Sequence, residues 1–227
     1  STRSSTLFPY TTLFRSVVRD DPALLEAAFR QAAVQADAII TSGGVSVGEA
    51  DHTKAMMKQL GDVAFWRIAM RPGRPMAVGR IAAAPEFDAK SASSAYSASA
   101  TSYADNSKQT ILFGLPGNPV AVMVTFLAFV RPALLRMMGA RPEAAPLLRA
   151  ASAQAIKKKP GRTEYQRGIV TAQPDGQLTV RTTGNQGSGV LSSMVQANGL
   201  IVLAHDQGDV AVGEAVSVMM FEGVLGG

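Results

Sequence analysis

Ala36-Asp37-Ala38-Ile39-Ile40-Thr41-Ser42-Gly43-Gly44-Val45-Ser46-Val47-Gly48-Glu49-Ala50-Asp51 decides the fold class. Ala36–Ile40 is a short apolar run that ends in Thr41-Ser42-Gly43-Gly44, the pattern of a buried strand opening into a glycine loop. Behind the loop, Asp51 to Leu60 can form a helix, with Gly61 placed to close it. Strand, glycine loop and helix in that order are the repeating unit of α/β domains. Glycines let the backbone approach an anion closely, and a helix start offers free N–H groups. The loop is not a Walker A loop, because no Gly-Lys-Ser/Thr ending follows, and it fails the GxGxxG spacing of a dinucleotide site. On pattern alone, an anion cradle and a plain turn stand level. Glu49 and Asp51 close the loop with carboxylates, which suit a divalent cation, although Asp51 would serve equally as a helix cap.

The same alternation extends outward. Upstream, Asp21 and Pro22 open a helix, and Leu24, Leu25, Ala28, Phe29, Ala32 and Ala33 keep helical spacing through Gln35. Downstream, Val63–Ala69 and Pro75–Ile81 read as strands. Between them Arg67-Ile68-Ala69-Met70-Arg71-Pro72-Gly73-Arg74-Pro75 carries three arginines. If this segment is extended, Arg67 and Arg71 point to one side. Prolines and a glycine stiffen the turn, and guanidinium forks match oxyanions. Ala82–Gln109 is dominated by alanine and serine, has no period and reads as an insertion loop. Thr110–Phe113 returns as a strand and runs into Leu115-Pro116-Gly117-Asn118-Pro119. Glycine and asparagine tolerate left-handed turns, so this loop is expected to aim helix amides beyond the strand ends, where open α/β sheets bind ligands. Val120–Met138 is then a long apolar helix, ended by Gly139.

Past Gly139 the pattern changes. Arg141, Pro142 and Pro146 mark a linker, and from Leu147 short runs of Val, Ile, Leu and Thr alternate with glycines every 8–12 residues or so. That spacing predicts a small β-barrel or sandwich. Residues 1–16, STRSSTLFPYTTLFRS, have no period and no signal-peptide core; they look like a translated sequencing adapter and are set apart from the fold.

Composition excludes other classes. With 227 residues, 47% hydrophobic and 17% charged, the chain is no disordered polyelectrolyte. It has no cysteine, hence no disulfide, thiolate zinc site or cysteine nucleophile. Its net charge of +5 is small, and Lys157-Lys158-Lys159 reads as a solvated loop rather than a nucleic-acid patch. Val120–Leu135 is interrupted by Thr125, Arg131 and Pro132, so no membrane span of ~20 residues is expected. His52 and His205 lack metal-ligand spacing, and no Ser/His/Asp set emerges.

Three loops in order, SGGVSVGEADHTK, FWRIAMRPGRPMAVG and FGLPGNPVAVMVTFLAFVRPAL, resemble the molybdopterin molybdenumtransferase (MoeA) family. GRTEYQRGIV, GSGVLSSMVQANGLIVL and VAVGEAVSVMMF look like its C-terminal barrel domain, so the resemblance runs from Val17 to Phe221. It implies a three-layer α/β pterin-binding domain over 17–140, interrupted by the 82–109 insertion, and an all-β barrel domain over 146–227. It implies insertion of molybdate into adenylylated molybdopterin with release of AMP, assisted by Mg2+, in a cytoplasmic homodimer that works beside other molybdenum cofactor biosynthesis proteins. The related adenylyltransferase carries a TGGTG-type loop and no barrel; a non-catalytic pterin-binding scaffold is the other alternative. Family domains upstream, the first strand of the α/β domain and its TGDEL-like loop have no counterpart here, so the sequence is expected to be an inactive piece. By position, the resemblance assigns Asp20, Asp51, Arg67 and Arg71 to catalysis, with Asp51 on the metal. It assigns Ser42, Gly43, Gly44, Ser46, Gly48, Arg74, Pro116, Gly117, Asn118, Pro119, Arg162, Ser192 and Ser193 to substrate. Arg67, Arg71 and Arg74 stand where the family usually has lysine, and Ala121 where many members have serine.

Overall fold

The computed structural model describes residues 17–19, 21–43, 45, 51–82, 108–140, 146–187 and 189–221, and for 51–54 the backbone alone. The adapter-like segment, the interior of the Ala82–Gln109 insertion and most of the Arg141–Pro146 linker fall outside these residues.

The α/β part is a four-stranded sheet in the order β1-β5-β4-β2, built from β1 (Ala38–Ser42), β2 (Gly61–Arg67), β4 (Pro75–Ala82) and β5 (Gln109–Leu115). β1 and β5 are parallel; β5, β4 and β2 are antiparallel neighbours. α1 (Pro22–Gln35) and α2 (Asp51–Leu60) cover one face. Their Phe29, Ala33, Met57 and Leu60 pack on Ile39, Val63, Ile81 and Leu112. The Asp21 side chain accepts from the amides of Ala23 and Leu24, as its Asp-Pro sequence predicts. Gly61 differs from expectation: it is the first residue of β2, not a helix cap. Glycine is required there because a Cβ would strike the Arg80 carbonyl on the neighbouring strand.

The other face carries the long helix. α3 (Pro119–Thr125) continues through a π-turn (Phe126–Val130) into α4 (Arg131–Met137). Val130 packs with Met76, Phe113 and Leu115 of the sheet, completing three layers. Pro119–Met137 is 19 residues long and apolar enough, by length and composition, to cross a membrane. This revises the expectation that no run reaches that length; here Val120, Val124 and Val130 are fully buried in the protein core.

The second part is a closed five-stranded barrel, which settles barrel against sandwich. β6 (Leu148–Ser152), β7 (Thr163–Ala172), β8 (Leu178–Thr182), β9 (Gly199–Leu203) and β10 (Ala215–Met220) pair in the order β7-β8-β6-β10-β9, and β9 returns to β7. Val180, Ile201, Leu203, Val210, Val216 and Val218 fill its interior. The two parts are interlocked. β3 (Met70–Arg71), contributed by the first half of the chain, pairs parallel with β7 of the barrel. Met70, Val120, Val124 and Leu127 share a core with Met194, Leu200 and Met219.

Candidate functional site

Parallel pairing of β1 with β5 brings the glycine loop and the Leu-Pro-Gly-Asn-Pro loop side by side. Ser42 ends β1 opposite Leu115. The Gly43 amide donates to the Leu115 carbonyl at 3.1 Å, and Ser42 Oγ to the Pro116 carbonyl at 3.4 Å. Gly43 has φ +99°, a conformation open mainly to glycine. A Cβ on Gly117 would stand 3.6 Å from Gly43 Cα, so the loops nearly touch. Asp20, Gly44, Ser46, Gly48 and the Asp51 side chain lie outside the described residues; the backbone of Asp51 begins α2.

Asn118 does not use the left-handed conformation that it tolerates. Its backbone is extended (φ −78°, ψ 125°), and Gly117 also avoids positive φ. Instead the Asn118 side chain caps α3, accepting from the amides of Val120 at 3.1 Å and Ala121 at 3.3 Å. Those two amides are therefore satisfied within the chain rather than free for a ligand. Pro119 sits exposed in the first turn.

The arginine segment is folded, not extended. β2 stops at Arg67, and the Ile68 amide closes the turn on the Arg74 carbonyl at 2.8 Å. Arg67 and Arg71 therefore do not share one strand side: Arg67 belongs to the α/β sheet and Arg71 pairs opposite Glu164 of the barrel. Arg67 borders an apolar hollow formed with Trp66, Ile68, Met76 and Phe129. Arg71 and Arg74 are exposed, while Pro72 and Gly73 between them are buried. Gly73 has φ +96°, and a Cβ there would collide with the Thr125 hydroxyl, which seats the turn directly on α3. The arginine turn and the Leu-Pro-Gly-Asn-Pro helix thus meet at the Gly73 backbone and the Thr125 hydroxyl.

Arg71 faces a cavity of about 270 Å³ at the barrel mouth, lined also by Pro72, Tyr165, Gln166, Arg167 and Gln186. Arg162 beside it donates from Nε to Glu164 Oε1 at 2.8 Å, and Glu164 is 4% exposed. Ser192 is exposed at the start of α5 (Ser192–Gln196). Ser193 is buried, accepting from Arg167 Nε at 2.9 Å and donating to the Val190 carbonyl at 2.5 Å. Burial lowers the pKa of Arg167 from the ordinary arginine value, and the nearby Arg71 charge lowers it further. Arg167, Glu164 and Gln186 escaped the sequence reading. The signal for Glu164 and Arg167 was two charged residues inside a strand pattern, Thr163-Glu164-Tyr165-Gln166-Arg167, too polar for an ordinary core strand; Gln186 carried no such signal.

Lys157-Lys158-Lys159 is not a uniformly solvated run. Lys157 pairs with Asp209 at 2.7 Å in solvent. Lys158 is buried, and its ammonium donates to the carbonyls of Lys159, His205 and Gln207. No group of three or more His, Cys, Asp or Glu suited to a metal ion exists among the described residues.

Residues 7–136 match the family described as "Probable molybdopterin binding domain", and 149–221 match the MoeA C-terminal region, domain IV. The first match begins inside the segment read as foreign. The chain is 38% identical over 208 residues to a molybdopterin molybdenumtransferase of Haemophilus influenzae, covering 91% of this chain and 45% of that protein. It is 32% identical to gephyrin of Dictyostelium discoideum over 82% of this chain and 26% of the other. The chain thus spans less than half the length of these curated relatives. A solved molybdopterin biosynthesis MoeA protein from Pyrococcus horikosii superposes with TM-score 0.64 at 24% identity, over 91% of this chain and 43% of that one. A molybdopterin-binding domain joined to a MoeA domain IV, over more than half of the sequence and on a matching fold, means that the chain belongs to the MoeA family.

Proposed function

We propose that the protein acts in molybdenum cofactor biosynthesis, as the part of a molybdopterin molybdenumtransferase that inserts molybdate into adenylylated molybdopterin and releases AMP. The observation that carries this reading is the barrel-mouth cavity, where Arg71 on its rigid turn meets the polar wall of the barrel. The reaction gathers negative charge: a molybdate dianion, and a phosphate leaving with AMP. Fixed guanidinium groups stabilise such charge without reorganising as it moves.

In this reading Arg71 and Arg74 contact the oxyanion and phosphate groups from one side. Arg162 and Ser192 approach molybdate from the barrel. Ser42, Gly43, Pro116 and Gly117, gathered by the β1–β5 pairing, cradle the pterin side together with Gly44, Ser46, Gly48, Asn118 and Pro119. Arg67 lies on the apolar hollow, so its role is secondary to that of Arg71. Asp20 and Asp51 are assigned by family position, Asp51 as the ligand of Mg2+; a bound Mg2+ would supply further charge neutralisation at phosphate. Division into domains at 17–140 and 146–227, a homodimer and a cytoplasmic location belong to the same proposal.

The test is AMP release from adenylylated molybdopterin on adding molybdate, using the product of the complete reading frame. Arg71→Ala should lower kcat/KM at least tenfold, since each charge-assisted bond to phosphate contributes ~1.5–3 kcal/mol. Arg71→Lys should be milder, because it keeps the charge. Asp51→Asn should raise the Mg2+ concentration needed for half-maximal rate. Equal rates for the parent and Arg71→Ala would remove the site assignment.

A further inference from the structure

Arg167 is 1% exposed, yet among the described residues no carboxylate forms an ion pair with it. A buried cation is ordinarily held by a counter-charge. This one uses neutral oxygens. Its Nε donates to Ser193 Oγ at 2.9 Å, and one terminal nitrogen donates to the carbonyls of Gly187 at 2.9 Å and Asn185 at 3.3 Å. Its main chain joins the same grip. The Arg167 amide donates to Gln186 Oε1 at 2.7 Å, and its carbonyl accepts from the Thr183 amide at 3.0 Å and from Gln186 Nε2 at 3.1 Å. One residue therefore fixes the 183–187 loop and, through Ser193, the start of α5. That loop supplies Gly184 and Gln186 to the cavity that Arg71 faces.

We propose that Arg167 is a positioning residue for a tetrahedral oxyanion: it shapes the wall of the cavity that Arg71 also lines and adds its own positive charge there. The inference rests on the functional reading above and narrows it to the molybdate class of ligand. Arg71 and Arg167 both line this cavity, and their like charges repel. A dianion between them relieves that repulsion, so oxyanion binding stabilises the folded chain by mass action. Glu164 lines the same cavity, but Arg162 occupies it.

The experiment is calorimetric titration of the whole 227-residue chain with inorganic molybdate, tungstate and sulfate at fixed ionic strength, with melting curves alongside. Arg167→Lys keeps the charge, but one ammonium cannot span Ser193 Oγ and two carbonyls. Its Kd for the oxyanions should rise about tenfold while its circular dichroism stays native. Ser193→Ala removes the Nε acceptor without altering cavity charge, and its Kd should rise in the same direction. The double variant should be no weaker than Arg167→Lys alone, because both changes cut one connection. A purely structural role would lower the melting temperature and leave Kd unchanged, which overturns the proposal, as would additive losses in the double variant. If Arg167→Lys does not fold, an unchanged Kd in Ser193→Ala overturns it. Absence of any oxyanion binding by the parent also overturns it. Oxyanion binding that depends on Arg167 in a full-length protein that releases no AMP would instead sink the functional reading and leave this inference standing.

Discussion

Thr125 holds a hydroxyl in the fully buried interior with no hydrogen-bond partner among the described residues, directly beneath Gly73. An unpaired buried hydroxyl costs about 1–3 kcal/mol, and an apolar isostere removes that cost. Thr125→Val should therefore raise the urea midpoint; a fall would mean that the hydroxyl has a partner in solution. Asp209 gives a pH prediction. Its pKa is lowered, first by the hydrogen bond from the Lys157 ammonium, then by the Lys158 amide. The folded chain thus gives up this proton more readily than the unfolded one. The stabilisation is complete above the ordinary carboxylate pKa of about 4 and drains away as pH falls through the lowered value. Chemical denaturation between pH 7 and pH 2 should show this loss, and Asp209→Asn should flatten it. Single residues are also where sequence reading was weakest. Lys158 looked like its neighbours, because the three carbonyls that enclose it come from residues about 50 positions away or from the turn itself.

Elements with local punctuation were legible. α1 begins where Asp21-Pro22 says it should, and a strand precedes and a helix follows the glycine-rich stretch as Ala36–Asp51 implied. What stayed hidden depends on distant partners. The end of α1 is closed by Thr110 of β5, whose hydroxyl lies 2.8 Å from the Ala33 carbonyl and 2.9 Å from that of Ala36. Thr110→Val should cost ~1–3 kcal/mol by stranding those carbonyls, read as a lower thermal midpoint with unchanged helix content. The π-turn was equally invisible. Pro132 brings no N–H to the helix and crowds the carbonyl four residues back, and the wider turn before it absorbs the misfit, with the Arg131 amide reaching the Phe126 carbonyl. In the candidate site, the glycine and Leu-Pro-Gly-Asn-Pro loops were readable because each lies between a strand and a helix. The split of Arg67 from Arg71 was not, because it arises from the pairing of β3 with residues 93 positions later.

The molecule as a whole is held at the joint between sheet and barrel. Met70 is 2% exposed in the core shared by both parts. Met70→Ala should cost ~2–5 kcal/mol. Because the joint belongs to both halves, calorimetry should show one transition moved down, whereas two separate transitions would mean that the halves melt independently. The two residues of β3 have a consequence for modularity. Their parallel pairing in register with Thr163 and Glu164 makes the barrel borrow an edge from sequence that precedes the linker. A barrel excised at residue 146 would leave that edge behind. A cut between residues 140 and 146 in the intact protein should instead yield two pieces that stay together without a covalent bond. Recombination at that linker would have to carry the arginine turn with the barrel, so the natural unit of exchange in this chain is discontinuous in sequence.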